Sequence, residues 1–184
     1  GAHTEQDALE IVFVIDRSGS MGGSYYGGEA NSPIKRAAQA LQLFLRSLPT
    51  GCRFQIIGFG SFFKSLFESA VVFSEESLNI ASAHASALQA DLGGTELEKP
   101  LAHVLAEPPP EGYSRRVIVL TDGSVCNTGH VLSLVRERCP PSRTRVHTVG
   151  IGDHVSHALV DGLAEAGGGT AEYAAAGESM APMV

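Results

Sequence analysis

Leu9 to Ser20 reads LEIVFVIDRSGS, and Arg116 to Gly123 reads RVIVLTDG. Each is a near-continuous apolar, β-branched run that ends in a carboxylate, Asp16 in the first and Asp122 in the second. Runs without apolar–polar alternation mark strands covered on both faces, as in a parallel sheet packed between helices. In such a sheet ligands bind beyond the carboxyl ends of the strands, where the winding reverses. Both carboxylates are expected at that edge.

The rest of the chain continues the pattern. After Asp16 comes a Ser- and Gly-rich loop, and Pro33 opens a helix with Ile34, Ala37, Ala38, Leu41, Phe44, Leu45 and Leu48 at helical spacing. Pro49-Thr50-Gly51 stops it. Phe54 to Phe59 is the next strand, and Leu66 to Phe73 is expected as an edge strand. Ser74 is placed to cap a helix across Leu78, Ala81, Ala85 and Leu88, with Glu75 and Glu76 favourable in its first turn. Gly93-Gly94-Thr95 interrupts, and a short helix follows through Leu101 and Leu105. Beyond Asp122 the pattern predicts a helix through Val131, Leu134 and Val135, a strand from Arg145 to Ile151 and a helix from Val155 to Ala166. Gly167 to Gly169 should stop that helix, before a last strand from Ala171 to Ala175. The alternation predicts an α/β fold, a doubly wound and mostly parallel sheet with helices on both faces and one antiparallel edge strand.

Bulk properties narrow the function. At 184 residues the chain fits one domain with a full core. No apolar run reaches the about 18 residues of a membrane helix, so membrane insertion is not expected. A net charge of −7 argues against a nucleic-acid surface. Arg136, Arg138, Arg143 and Arg145 cluster weakly and read as a solvated helix end. Three cysteines, Cys52, Cys126 and Cys139, do not make a disulfide scaffold. That odd count and the absence of a visible signal peptide lean towards a cytoplasmic setting.

Asp16, Ser18 and Ser20 alternate in a tight loop and can converge on one point. Asp16 and Asp122, brought together at adjacent strand ends, would resist ionising together, and a divalent cation removes the conflict. Carboxylates and hydroxyls are hard oxygen ligands suited to Mg²⁺, with Mn²⁺ or Ca²⁺ as alternatives. DRSGS at 16–20, Thr95 in GGT and Asp122 in TDG resemble the three-part metal-ion-dependent adhesion site (MIDAS) of von Willebrand factor type A domains. The resemblance implies that Ser18 and Ser20 bind the metal directly and Thr95 directly or through water. It implies that Asp16 and Asp122 act largely through water, leaving one position for a partner's Asp or Glu.

GCRFQIIGFGSFFKSLF, ADLGGTELEKPL, VIVLTDGSV and VGIGDHVSHALVDGLAEAGGGTAEY look like the group whose A domain follows a VIT domain. That group includes the inter-alpha-trypsin inhibitor heavy chains, the von Willebrand A domain-containing 5 proteins and, more distantly, vault poly(ADP-ribose) polymerase. Residues 1–8 read as a tag remnant or linker, and 9–184 as the A domain, with its C-terminal helix cut short. Gly22 to Asn31 looks longer than the family's usual link, and its Tyr25 and Tyr26 are candidates for partner contact.

The expected function is a metal-dependent protein-binding module that captures a partner's acidic side chain. The alternative is a scaffold domain of a larger protein that fills the site from within, and a distant third is a metal-dependent hydrolase, since a bound ion can activate water. Catalysis is not expected: Ser18 stands where a phosphatase with an aspartyl nucleophile would carry its second Asp, and neither a GxxxxGK[ST] loop nor a GxSxG elbow is present. His103, His130, His154, His157 and Cys126 match no four-ligand spacing and read as surface or packing residues.

Overall fold

The computed structural model describes residues 7–23, 32–139 and 143–174. Tyr25, Tyr26, most of the Gly22 to Asn31 link and the start of the expected last helix lie outside the described residues.

The strands are β1 (Ala8–Asp16), β2 (Arg53–Phe59), β3 (Phe63–Ser65), β4 (Val71–Val72), β5 (Tyr113–Thr121), β6 (Thr144–Ile151) and β7 (Gly168–Ala174). The helices are α1 (Pro33–Arg46), α2 (Glu75–Ser86), α3 (Glu98–Leu105), α4 (Thr128–Arg138) and α5 (His157–Ala166). One sheet runs in the order β3-β2-β1-β5-β6-β7, with β4 also on β2. β1, β2, β5, β6 and β7 are parallel, whereas β3 and β4 run antiparallel to β2.

The period of two in the strands divides the core. Ile11, Phe13 and Ile15 of β1 point to one face, where Leu41, Phe44 and Leu45 of α1 and Ala81 and Ala85 of α2 cover them. Val12 and Val14 point to the other, with Leu101 of α3, Val131 and Val135 of α4 and Leu159 and Leu163 of α5. β1 and β5 are adjacent, yet the chain leaves β1 towards α1 on one face and β5 towards α4 on the other. Their carboxyl ends therefore open a crevice at the reversal of winding.

Three expectations change. Of the edge strand read over Leu66 to Phe73 only Val71–Val72 is strand, as β4, and the other antiparallel piece, β3, ends at Ser65, before the expected start. Between them the Gln55 side chain takes the place of a strand: its Nε2 donates to the Phe67 carbonyl at 2.7 Å and its Oε1 accepts from the Phe67 amide at 3.0 Å. Gly167 to Gly169 is only partly a stop, because β7 starts at Gly168. Its pairing with β6 slips between Val146 and Thr148, and the Thr170 amide there donates to His147 Nδ1 at 3.1 Å. α5 starts at His157, two residues later than read. Ser74 does cap α2, accepting from the Ser77 amide at 3.1 Å while Ser77 Oγ accepts from the Ser74 amide at 2.8 Å.

The basic cluster divides. Arg136 and Arg138 are exposed in the last turn of α4, as read. Arg143 instead donates to the carbonyls of Pro109, Pro110 and Tyr113, and Arg145 to that of Gly168, so both hold loops together. All three cysteines are free, Cys52 and Cys139 buried and Cys126 exposed. Among the described residues no helix is long and apolar enough to cross a membrane.

Candidate metal centre

Asp16 is the last residue of β1 and is fully buried. Register places Ile15 beside Leu120, so the next residues, Asp16 and Thr121, face one another at the strand ends. Thr121 Oγ1 donates to Asp16 Oδ2 at 2.8 Å, and the Ser18 amide donates to Asp16 Oδ1 at 2.9 Å. This second bond folds the DRSGS loop back on its own aspartate and aims the next side chains at the crevice. Ser18 Oγ, fully buried, lies 3.0 Å from Ser20 Oγ, and Ser20 Oγ donates to Asp122 Oδ2 at 2.6 Å. The other Asp122 oxygen accepts from the Ser124 amide at 2.9 Å. Asp16, Ser18, Ser20 and Asp122 thus form one connected set of oxygens.

Thr95 reaches the crevice through backbone contacts. The Gly19 amide donates to the Gly93 carbonyl at 2.9 Å, joining the DRSGS loop to the Gly-Gly-Thr loop. The Cys126 amide donates to the Thr95 carbonyl at 3.1 Å, joining that loop to the one after β5. The Thr95 hydroxyl is paired with Cys126 Sγ at 3.3 Å rather than with Ser18, Ser20 or Asp122. Gly123 completes the assembly: its φ is +83°, and a Cβ there would lie 2.8 Å from Ser156 Cβ. Only glycine suits both demands.

The electrostatics differ in emphasis from the sequence reading. Burial is the first cause that pushes the Asp16 carboxyl up to about 6, from an ordinary 3.8. Repulsion by Asp122 adds to it, and the bonds from Ser18 and Thr121 pull the other way. The charge conflict inferred from sequence is present, but dehydration outweighs it. Among the described residues neither Asp16 nor Asp122 has a Lys or Arg ion-pair partner.

Sequence reasoning missed three residues of this neighbourhood. Thr121 was passed over as the residue before Asp122, although its hydroxyl orients Asp16. Ser61 accepts from the Gly94 amide at 2.8 Å, across 33 residues, with no local sequence signal. Arg17, inside the DRSGS motif, reaches away from the crevice to Asp91. The histidines do other work: His157 stacks on Tyr173 with ring centroids 4.5 Å apart, and His103 packs on Phe63 at 5.1 Å. Among the described residues no three His, Cys, Asp or Glu side chains gather into a metal-binding group. The oxygen set above draws instead on serines beside two carboxylates.

A family model described as von Willebrand factor type A domain matches residues 9–173. The chain belongs to that family. Human von Willebrand factor A domain-containing protein 5B1 is 43% identical over 173 residues, covering 94% of this chain and 13% of that protein. Human von Willebrand factor A domain-containing protein 5A is 37% identical over 165 residues, covering 89% of this chain and 21% of that protein. The chain therefore spans a small part of the length of these relatives.

Solved structures share the fold at low identity. An aerotolerance-related membrane protein of Bacteroides fragilis superposes with a TM-score of 0.75 at 16% identity, covering 91% of this chain and 92% of that one. The manganese-loaded TRAP protein of Plasmodium vivax gives 0.65 at 18% identity, covering 93% and 69%. Proximal thread matrix protein 1 of the mussel byssus, described with a zinc-occupied MIDAS motif, gives 0.64 at 18% identity, covering 92% and 42%.

Proposed function

We propose that this type A domain is a metal-dependent protein-binding module in which Asp16, Ser18, Ser20, Thr95 and Asp122 hold a divalent cation. The observation that carries the proposal is Asp16, a fully buried carboxylate that among the described residues meets only neutral donors and a second carboxylate. Burying an anion without a cation is costly, and the fold tolerates it at the crevice where ligands of such sheets bind. The donor set is all oxygen, which fits a hard ion, Mg²⁺ first and Mn²⁺ or Ca²⁺ next. The metal described for two proteins of the same fold supports this reading.

When bound, the ion would supply a Lewis-acidic position at which a partner's Asp or Glu completes the coordination shell. The chain's own residues orient that position. Thr121 and the Ser18 amide fix the Asp16 carboxylate, and the Ser124 amide fixes that of Asp122. Ser18, with no exposure, is presented from within, whereas Ser20 stands at the exposed rim. The Ser20 hydroxyl that donates to Asp122 at 2.6 Å is read as part of the oxygen set for the ion, and the proposed role is binding rather than turnover.

Thermal unfolding in excess Mg²⁺ or Mn²⁺ and in chelator tests the metal. A rise in Tm that Ser18→Ala and Asp122→Ala both remove is expected; an unchanged Tm across a wide metal range would sink the proposal. Metal-dependent capture of Glu-bearing peptides, lost when Glu is replaced by Gln, then tests the ligand. A second reading is favoured by the small share of the relatives' length that this chain spans. In it the domain sits in a larger VIT-containing protein whose own acidic residue fills the shell, so the chain binds metal but no external peptide.

A further inference from the structure

We infer that Arg17 is a positioning residue for the metal centre, a strap that locks the segment leading to Thr95 against the loop carrying Ser18 and Ser20. The inference rests on the proposed metal site and goes beyond its ligands. Arg17 lies between two of them in sequence, yet its side chain points the other way. Its Nε donates to the Gln89 carbonyl at 3.0 Å, and its Nη2 pairs with Asp91 Oδ1 at 2.5 Å. Its own carbonyl accepts from the Leu92 amide at 3.0 Å, and its amide donates to the Phe59 carbonyl at 2.8 Å.

One residue thus grips the segment Gln89 to Leu92 at three points and the end of β2 at a fourth. The Arg17 side chain keeps 11% of its surface exposed, against 53% for Asp91. Its stem crosses Gly58 closely enough that a Cβ at 58 would strike Arg17 Cδ. Ordinary surface ion pairs stabilise little because both side chains must be ordered for the purpose. Here the guanidinium is already held by packing on β2, and its planar fork serves a carbonyl and a carboxylate together.

The consequence falls on Thr95, three residues beyond Leu92. Its hydroxyl is paired with Cys126 and must reorient to meet a cation. The backbone that carries it is set by the Arg17 strap at one end and by the Gly19–Gly93 and Ser61–Gly94 bonds in the middle. Groups that orient metal ligands without touching the metal change affinity by about 10–100-fold when removed. Arg17 is predicted to act this way, through Thr95.

A double-mutant cycle read by Mn²⁺ titration calorimetry tests the strap, using the whole chain as wild type, Arg17→Ala, Thr95→Ala and the pair. The expected result is a loss of about tenfold in affinity for Arg17→Ala alone, with little further loss when Arg17→Ala is added to Thr95→Ala. Asp91→Ala should reproduce part of the loss, and Arg17→Lys should restore part of it. Hydrogen exchange in chelator gives a readout free of metal: Arg17→Ala should speed exchange of the Leu92 and Gly94 amides and leave those of β5 unchanged. Losses that multiply in the pair, or unchanged exchange at Leu92 and Gly94, overturn the inference while leaving the metal site standing. A wild-type chain that takes up no Mn²⁺ overturns both. If Arg17→Ala does not fold, the Asp91→Ala and Arg17→Lys cycles with Thr95→Ala decide.

Discussion

β1 carries a buried carboxylate near each end, and the two are treated in opposite ways. Glu10, 5% exposed, pairs with Arg115 Nε at 2.8 Å, and the same guanidinium donates to the carbonyls of Val104 and Glu107. Among the described residues Asp16, with no exposure, receives hydrogen bonds from Ser18 and Thr121, both neutral, and the charge that acts on it is that of Asp122. At the amino edge of the sheet the fold supplies the cation itself. At the carboxyl edge it supplies only neutral donors among the described residues, and the proposed divalent ion would take the place that Arg115 fills at the other end. Two buried carboxylates on one strand, six residues apart, thus mark a structural end and the end proposed to bind metal.

The largest effect is expected at the structural end. Arg115→Ala leaves Glu10 buried and unpaired, which should cost about 3–5 kcal/mol in denaturant unfolding, the same with metal or with chelator. A cost that changed with metal would break the comparison, since it would couple the amino edge to the crevice. Next comes the metal itself. At about one hundred times its Kd, Mg²⁺ or Mn²⁺ should add about 2.7 kcal/mol to unfolding, and Ser18→Ala should erase the gain.

Asp16→Asn should act in the opposite direction from Arg115→Ala. In chelator it removes a dehydrated negative charge while its amide oxygen still accepts from the Ser18 amide, so the chain should gain about 2 kcal/mol in unfolding at pH 7. The gain should come with loss of any response to metal.

The pH dependence follows from the same shift. Asp16 sits at about 6 in the folded chain against an ordinary 3.8, so the folded state holds that proton more tightly. Its contribution to stability is therefore present below pH 4 and is lost as pH rises through about 6. Unfolding of wild type and Asp16→Asn in chelator across that range should show the difference widening with pH. Metal uptake should run the other way and weaken below about pH 6, as protons compete for Asp16. The smallest expected effect is that of Asp122→Asn in chelator, below about 1 kcal/mol, because its charge ranks behind burial in raising Asp16.

Much of this was legible in the sequence because it was local or periodic. The strands that lead to Asp16 and to Asp122, which follows the last residue of β5, announced themselves as unbroken apolar runs, and DRSGS, GGT and TDG carried the oxygen-bearing side chains of the candidate site. Helix α1 declared its buried side through Ile34, Ala37, Leu41, Phe44 and Leu45, although Leu48 lies beyond its end. The edge by β2 was misread because Gln55, a polar residue inside an apolar run, replaces backbone pairing that sequence patterns presume. The glycines of β7 were misread because a slipped register and a histidine acceptor make room for them in a strand.

By itself the sequence determined the layered α/β architecture and the inventory of oxygen donors, since both follow from residue type and spacing. Only the tertiary structure decided which buried carboxylate has a cation. Glu10 meets Arg115 across 105 residues and Arg17 meets Asp91 across 74, so both pairings depend on strand order and register. The burial that raises Asp16 likewise belongs to the packed sheet and its helices, because dehydration is a property of everything that surrounds a charge.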